Sequence, residues 1–145
     1  MQFKNRIFYD FLLSIGLTRK KSLTIGKLCI PEKYFFDFLR GCFDGDGCFY
    51  SYWDPRWRSS FMFYTEFCSA SLKFIKWLQV KISKLADING HLTTAGKNHR
   101  MWQLKYAKRE SLVLLRKMYY SNKNIFLSRK KLKIDKALGI VDLKI

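Results

Sequence analysis

The chain has 145 residues, 48% of them hydrophobic, and its 28 Lys and Arg against 11 Asp and Glu give a formal charge of +17. That is one domain's worth of sequence with enough apolar content for a core of its own, which excludes a disordered tail. The charge calls for a polyanionic partner, nucleic acid ahead of an acidic membrane surface, and no apolar run approaches the roughly 20 residues of a membrane span.

The positive excess is uneven: residues 1–66 carry 10 basic and 7 acidic groups, residues 67–145 carry 18 and 4. The N-terminus lacks the continuous apolar core of a signal peptide, so a soluble intracellular protein is expected, cytoplasmic or in an organelle matrix. Cys29, Cys42, Cys48 and Cys68 stand 13, 6 and 20 apart, which is not a zinc-ligand spacing, and they read as small buried hydrophobes. His91 and His99 flank a turn without the acidic and Asn partners that an HNH-type nuclease needs, so they read as loop or groove residues.

In chain order, Phe3, Ile7, Phe8, Phe11, Leu12 and Ile15 recur at helical spacing and Gly16 is a natural stop. Leu17 to Cys29, with Thr18-Arg19-Lys20-Lys21-Ser22, is a basic connector, so residues 1–29 form an N-terminal helix and arm before a unit spanning 30–145. Ile30-Pro31-Glu32 starts a helix, since Pro suits the first helical position and an early acid suits the positive helix end. From Tyr34 to Phe43 apolar residues fall on almost every side, which predicts burial of most of its surface. Gly41 and Gly45 stand four apart on one face, where missing side chains let another helix backbone approach closely. Asp44 and Asp46 then arrive at the negative end of the helix dipole, a conflict that a divalent cation would remove. A Gly-rich turn with locally hydrogen-bonded Asp accounts for the same residue types.

Cys48 to Trp53 is a β-rich aromatic run, Asp54-Pro55-Arg56-Trp57-Arg58 a turn with two cations, and Ser59 to Phe67 the returning strand. Ser69-Ala70-Ser71 offers a cap for a helix with Leu72, Ile75, Leu78, Ile82 and Leu85 on one stripe. Asn89-Gly90 opens a strand through Ala95, Gly96-Lys97-Asn98 turns it, and Arg100 to Ala107 returns. Leu112, Leu115 and Tyr119 mark a further helix, and Phe126 to Leu138 a last, basic one. Hairpins with helices between them imply an α+β domain, an antiparallel sheet covered on one face. Alternation assigns Phe49, Ser51, Trp53, Phe61, Phe63, Phe67, Leu92, Trp102, Leu104 and Tyr106 to the inner face. The outer face then carries Tyr50, Tyr52, Met62, Tyr64, Glu66, His91, Thr93, Met101, Gln103 and Lys105, donors and apolar edges able to read bases in a groove that admits a two-stranded ribbon.

The segment Leu39-Arg40-Gly41-Cys42-Phe43-Asp44-Gly45-Asp46-Gly47 resembles the LAGLIDADG motif of homing endonucleases. Arg40 replaces the small second residue and Cys42 an aliphatic one, while both glycines and both acids are present, and the resemblance covers roughly Ile30 to Leu138. It implies the saddle-sheet fold of that family, in the order helix, strand, strand, helix, strand, strand, helix, helix. It implies Asp46 as catalytic metal ligand with the Gly45 carbonyl beside it, and Asp44 as structural. The ion would be Mg2+, or another divalent cation such as Mn2+ or Ca2+. Phe126-Leu127-Ser128-Arg129-Lys130-Lys131 resembles the segment that places a basic side chain near the attacking water. Lys130 is the choice there, with Arg129 next to it; a phosphate-binding or simply solvated cation fits the same position.

One motif supplies one Asp46, too few for two metals, so the chemistry asks for a homodimer through Phe38, Gly41, Cys42 and Gly45. The expected substrate is a long, pseudo-palindromic duplex contacted by the outer face together with Arg56, Arg58, Lys97, Arg100 and Arg129. A noncleaving DNA-binding regulator of the same fold, or an intron-RNA maturase, are the alternative functions.

Overall fold

The computed structural model describes residues 4–96, 101–121, 125–143 and 145. Helix α1 (Arg6–Ser14) starts at Asn5, whose side-chain oxygen accepts from the Phe8 N–H at 2.9 Å. None of its residues is buried, and Ile7, Phe8 and Phe11 face outward. The connector that follows is turn-rich and non-helical, and Leu28 is its buried anchor. It is fastened to the body where the Ser71 hydroxyl, at the cap of the next helix but one, donates to the carbonyl of Ile25.

The motif helix starts later than Pro31 predicts. Pro31 introduces a single 3-10 turn, Glu32–Tyr34, and helix α2 runs Phe35–Asp46. Glu32 turns outward to the ammonium groups of Lys81 (3.2 Å) and Lys84 (2.8 Å), which hold its carboxyl below the usual range, Lys84 foremost. The strands follow as β1 (Cys48–Trp53) and β2 (Phe61–Ser69). Strand β2 is displaced two residues from the expected Ser59–Phe67 because the intervening turn closes on itself: Asp54 N–H donates to Ser60 O and Ser60 N–H to Trp57 O. Helix α3 (Leu72–Ala86), β3 (His91–Ala95), β4 (Met101–Tyr106), α4 (Lys108–Met118) and α5 (Ser128–Ile140) complete the order. At Gly90, with φ +63°, a Cβ would stand 2.7 Å from the Tyr106 ring, so glycine is required where β3 begins.

The sheet is antiparallel throughout, in the order β1-β2-β4-β3. Phe49, Phe61, Phe63, Phe67, Leu104 and Tyr106 point inward and are buried under Phe35, Leu39 and Phe43 of α2, Ile75, Leu78 and Ile82 of α3, Leu114 and Leu115 of α4, and Ile134 and Leu138 of α5. Each such side chain contributes about 1.5–3 kcal/mol by leaving water. Trp53 keeps its inner-face register opposite Phe61 yet is 53% exposed: at the far end of β1 its ring packs on Phe61 (5.1 Å between centroids) without being buried. The cysteines correct a second expectation: Cys29 and Cys48 are exposed, and Cys42 and Cys68 half-buried. Register places Cys48 opposite Glu66 and Cys68 opposite Gln103, on the outer face. Among the described residues no helix is long and apolar enough to cross a membrane.

Candidate active site and nucleic-acid interface

Helix α2 ends at Asp46, and Gly47 (φ −74°, ψ 163°) turns the chain directly into β1. The corner is so tight that a Cβ on Gly47 would lie 2.6 Å from the Phe43 ring and 2.8 Å from its backbone. The helix presents two different flanks. On one, the buried Arg40 (7% exposed) donates to the carbonyls of Met118 (2.6 Å) and Ile125 (3.1 Å) and to Asp37 (2.8 Å). One turn on, the Asp44 carboxylate accepts from the Tyr119 hydroxyl (3.2 Å) and the Leu127 N–H (2.9 Å). Burial, then the Asp44 charge, pushes the Tyr119 phenol well above its usual range. Lys130, in the first turn of α5, donates from Nζ to the carbonyl oxygens of Phe43 and of Gly47, the latter at 2.6 Å. Burial lowers its pKa, opposed by the Asp44 charge.

The other flank is open. No atom lies within 4 Å of where a Cβ would stand on Gly41 or Gly45. Phe38, Gly41 and Cys42 border a groove of about 840 Å³ whose far wall is the connector, at Leu17, Ile25 and Leu28. The Cys42 thiol is pushed up to about 12, first by burial and then by the Asp46 charge one turn away. Asp46 itself is exposed, and its carboxylate makes no hydrogen bond or ion pair among the described residues. No group of three or more His, Cys, Asp or Glu among those residues is placed to hold a metal. One chain thus offers a single carboxylate and the neighbouring Gly45 carbonyl. Both are hard oxygen donors, the kind that Mg2+ and Ca2+ take.

On the outer sheet face, Tyr50 and Tyr52 lie nearly parallel to Tyr64, at 5.2 Å and 6.1 Å between ring centroids. A hydrogen bond with Tyr52 raises the pKa of Tyr64. Met62 stands opposite Tyr52, His91 opposite Lys105, Thr93 opposite Gln103 and Met101 beside Ala95, so register gathers the expected set on one surface. Glu66 belongs to it by alternation yet is 6% exposed. Its carboxylate is occupied by the Lys105 ammonium at 3.6 Å and the Cys68 thiol at 3.1 Å. In the β1–β2 turn, Arg56 is bound through Nε (3.2 Å) and Nη2 (3.1 Å) to the two carboxylate oxygens of Asp54, while Arg58 is exposed. Arg129 is exposed at the start of α5. Lys97, His99 and Arg100 lie outside the described residues.

No protein-family model and no curated protein matches the chain. Solved structures do. The homing endonuclease I-CvuI, in complex with the I-CreI target in the presence of Mg and with the DNA not cleaved, aligns over 77% of this chain and 68% of its own, at TM-score 0.53 and 15% identity. I-CvuI with its own target in the presence of Ca aligns over the same shares at TM-score 0.54 and 18% identity. A third homing endonuclease, I-TnaI, aligns over 72% of this chain and 69% of its own at TM-score 0.52 and 17% identity.

The chain has the LAGLIDADG homing-endonuclease fold. Within that fold α2 is the motif helix, and its departure from the motif pattern acquires a structural reason. Arg40, where a small residue is usual, sits on the inward flank and satisfies the carbonyl of Met118 at the end of α4 and that of Ile125 before α5. The one sequence signal for it is Asp37 three residues earlier, an ion-pair spacing on a helix. Tyr119 and the Leu127 N–H, which hold Asp44, gave no local signal.

Proposed function

We propose that this protein is a site-specific double-strand DNA endonuclease that works as a homodimer, with residues 30–145 as the nuclease unit and 1–29 as an appended arm. The observation that carries the reading is the contrast between the two acids of α2. Asp44 is consumed by Tyr119 and Leu127, whereas Asp46 stands exposed and unpartnered at the edge of a flank that two glycines leave open.

A second copy docked on Gly41 and Gly45 would bring two Asp46 carboxylates together, with Phe38 and Cys42 in the contact. Asp46 and the Gly45 carbonyl would hold a divalent cation there, which when bound would neutralise charge at the phosphate and activate a water. The chain's own contribution is to hold those oxygens at the helix end and to bind the duplex. Tyr50, Tyr52, Met62, Tyr64, Met101, Gln103 and Lys105 offer base-edge contacts, and Arg58 and Arg129 phosphate contacts. That I-CvuI was crystallised on DNA with Mg and with Ca supports both the substrate class and the ion.

The test is cleavage of a duplex selected from a randomised pool, with and without Mg2+. Asp46→Asn should bind that duplex and leave it uncut. Full cutting by Asp46→Asn overturns the assignment, and selective recovery of single-stranded RNA would favour the maturase reading.

A further inference from the structure

The last turn of an α-helix leaves its carbonyl oxygens without intrahelical donors, and a cation placed there is favoured by the helix dipole. In α2 this end must also tolerate two carboxylates, and the chain leaves it through a corner that admits only glycine. The Lys130 ammonium has three protons. Two of them go to the carbonyls of Phe43 and Gly47, which bracket Asp46 on either side, and the ammonium lies 5.0 Å over the Phe43 ring. Lys130 is itself anchored. Its N–H donates to Leu127 O at 2.9 Å, Leu127 N–H is held by Asp44, and α5 is seated through buried Ile134, Ala137 and Leu138.

From this geometry we infer that Lys130 is a positioning residue. It clamps the corner between α2 and β1 and so sets where the Asp46 carboxylate and Gly45 carbonyl stand, rather than acting on the attacking water. The inference rests on the nuclease reading for its functional consequence and on the two carbonyl contacts for its structural one. A side chain spent on two backbone acceptors is fixed in place by them. Removing it frees the one turn of helix that carries the metal-binding oxygens while leaving the basic and aromatic DNA face as it was.

The experiment compares wild type with Lys130→Met, which keeps the bulk and removes the donors, and Lys130→Arg, which restores two donors. Three quantities are read: steady-state cutting of the selected duplex, Ca2+ binding to the uncut protein–DNA complex by calorimetry, and hydrogen exchange of the Gly47 and Cys48 amides. Lys130→Met should lower kcat and Ca2+ affinity by about 10–100-fold, the usual cost of losing a group that orients a ligand, with KM for DNA unchanged. It should also speed exchange at Gly47, and Lys130→Arg should recover most of both effects. If Lys130→Met cuts poorly while Ca2+ affinity and Gly47 exchange stay at wild-type values, Lys130 acts on water or phosphate directly and the clamp is wrong. If the wild-type chain cuts nothing, the nuclease reading fails, and unchanged Gly47 exchange in Lys130→Met would still overturn the clamp separately.

Discussion

The guanidinium of Arg40 meets the carbonyl oxygen of Met118 at 2.6 Å, joining the middle of the motif helix to the end of α4 across 78 residues of sequence. The same side chain satisfies Ile125 O and pairs with Asp37. Truncation to an uncharged chain leaves the Met118 and Ile125 carbonyls without this donor and Asp37 with the Tyr120 hydroxyl but no ion pair, so Arg40→Met is expected to cost about 2–4 kcal/mol. The midpoint of urea unfolding measures it, and a loss within error of zero would show that the carbonyls find water instead.

Asp44 and Asp46 are two residues apart and should respond in opposite ways. Asp44→Ala strands the Leu127 N–H and the Tyr119 hydroxyl and should destabilise by about 1–3 kcal/mol. Asp46→Ala removes a negative charge from the negative end of the dipole and should leave stability unchanged or raise it by about 0.3–1 kcal/mol, while abolishing cutting. Thermal melts of the two variants side by side decide the point; equal losses would mean that Asp46 has structural partners.

The glycines of α2 separate folding from assembly. Gly41→Leu and Gly45→Leu place side chains in open space within the subunit, so each should gain up to about 1 kcal/mol of helix propensity yet overfill the proposed contact and yield monomers. Gly47→Ala should do the reverse and destabilise the subunit, because its Cβ collides with Phe43. Sedimentation at matched concentration is the measurement, and intact dimers of Gly41→Leu would place the interface elsewhere.

On the proposed DNA face, Arg58→Ala should reduce the slope of log affinity against log salt by about one, the signature of a lost phosphate contact. Arg56→Ala should change it less, since that charge is already committed to Asp54. Gln103→Ala should alter preference at particular base pairs and leave the slope alone. Identical slopes for wild type and Arg58→Ala would remove the turn from the binding surface.

The carboxyl of Asp54 is held below its usual range, first by the Arg56 guanidinium and then by the Arg56 N–H. A depressed folded pKa means stability that is present above the unfolded value, about 3.9, and is lost as pH falls through the folded one. The β1–β2 turn should therefore loosen on acidification, read by the fluorescence of Trp57 at its tip. Asp54→Asn should abolish that transition, and a wild-type turn signal that stays flat down to about pH 2 would contradict it.

Period-two alternation was enough to find the buried face of the sheet at Phe49, Phe61, Phe63, Phe67, Leu104 and Tyr106, and period-three-and-four spacing enough for α3. Both signals are local. They failed where burial depends on what lies overhead: Trp53 runs past the end of the helical layer, and Glu66, polar and outward by register, is sheltered by Lys105 and Cys68. Of the candidate site, the motif segments point to Asp46 and Lys130, and the Lys130 ammonium lies on the carbonyl of Gly47, the residue after Asp46 at the corner into β1. The ties that hold that corner were not readable, since Arg40 and Asp44 meet partners 75 to 85 residues away and no periodicity encodes such a distance.

One flank of α2 is bound residue by residue to the rest of its own subunit, and the other is left open by its glycines. Drift at Asp37, Arg40 or Asp44 is policed by the folding of each subunit alone, whereas drift at Gly41 and Gly45 is policed by the fit to the proposed second copy. Two diverging copies of this sequence could therefore stop pairing with themselves, and begin pairing with each other, at no cost to folding. A pair of unlike halves made in that way would read a target without two-fold symmetry.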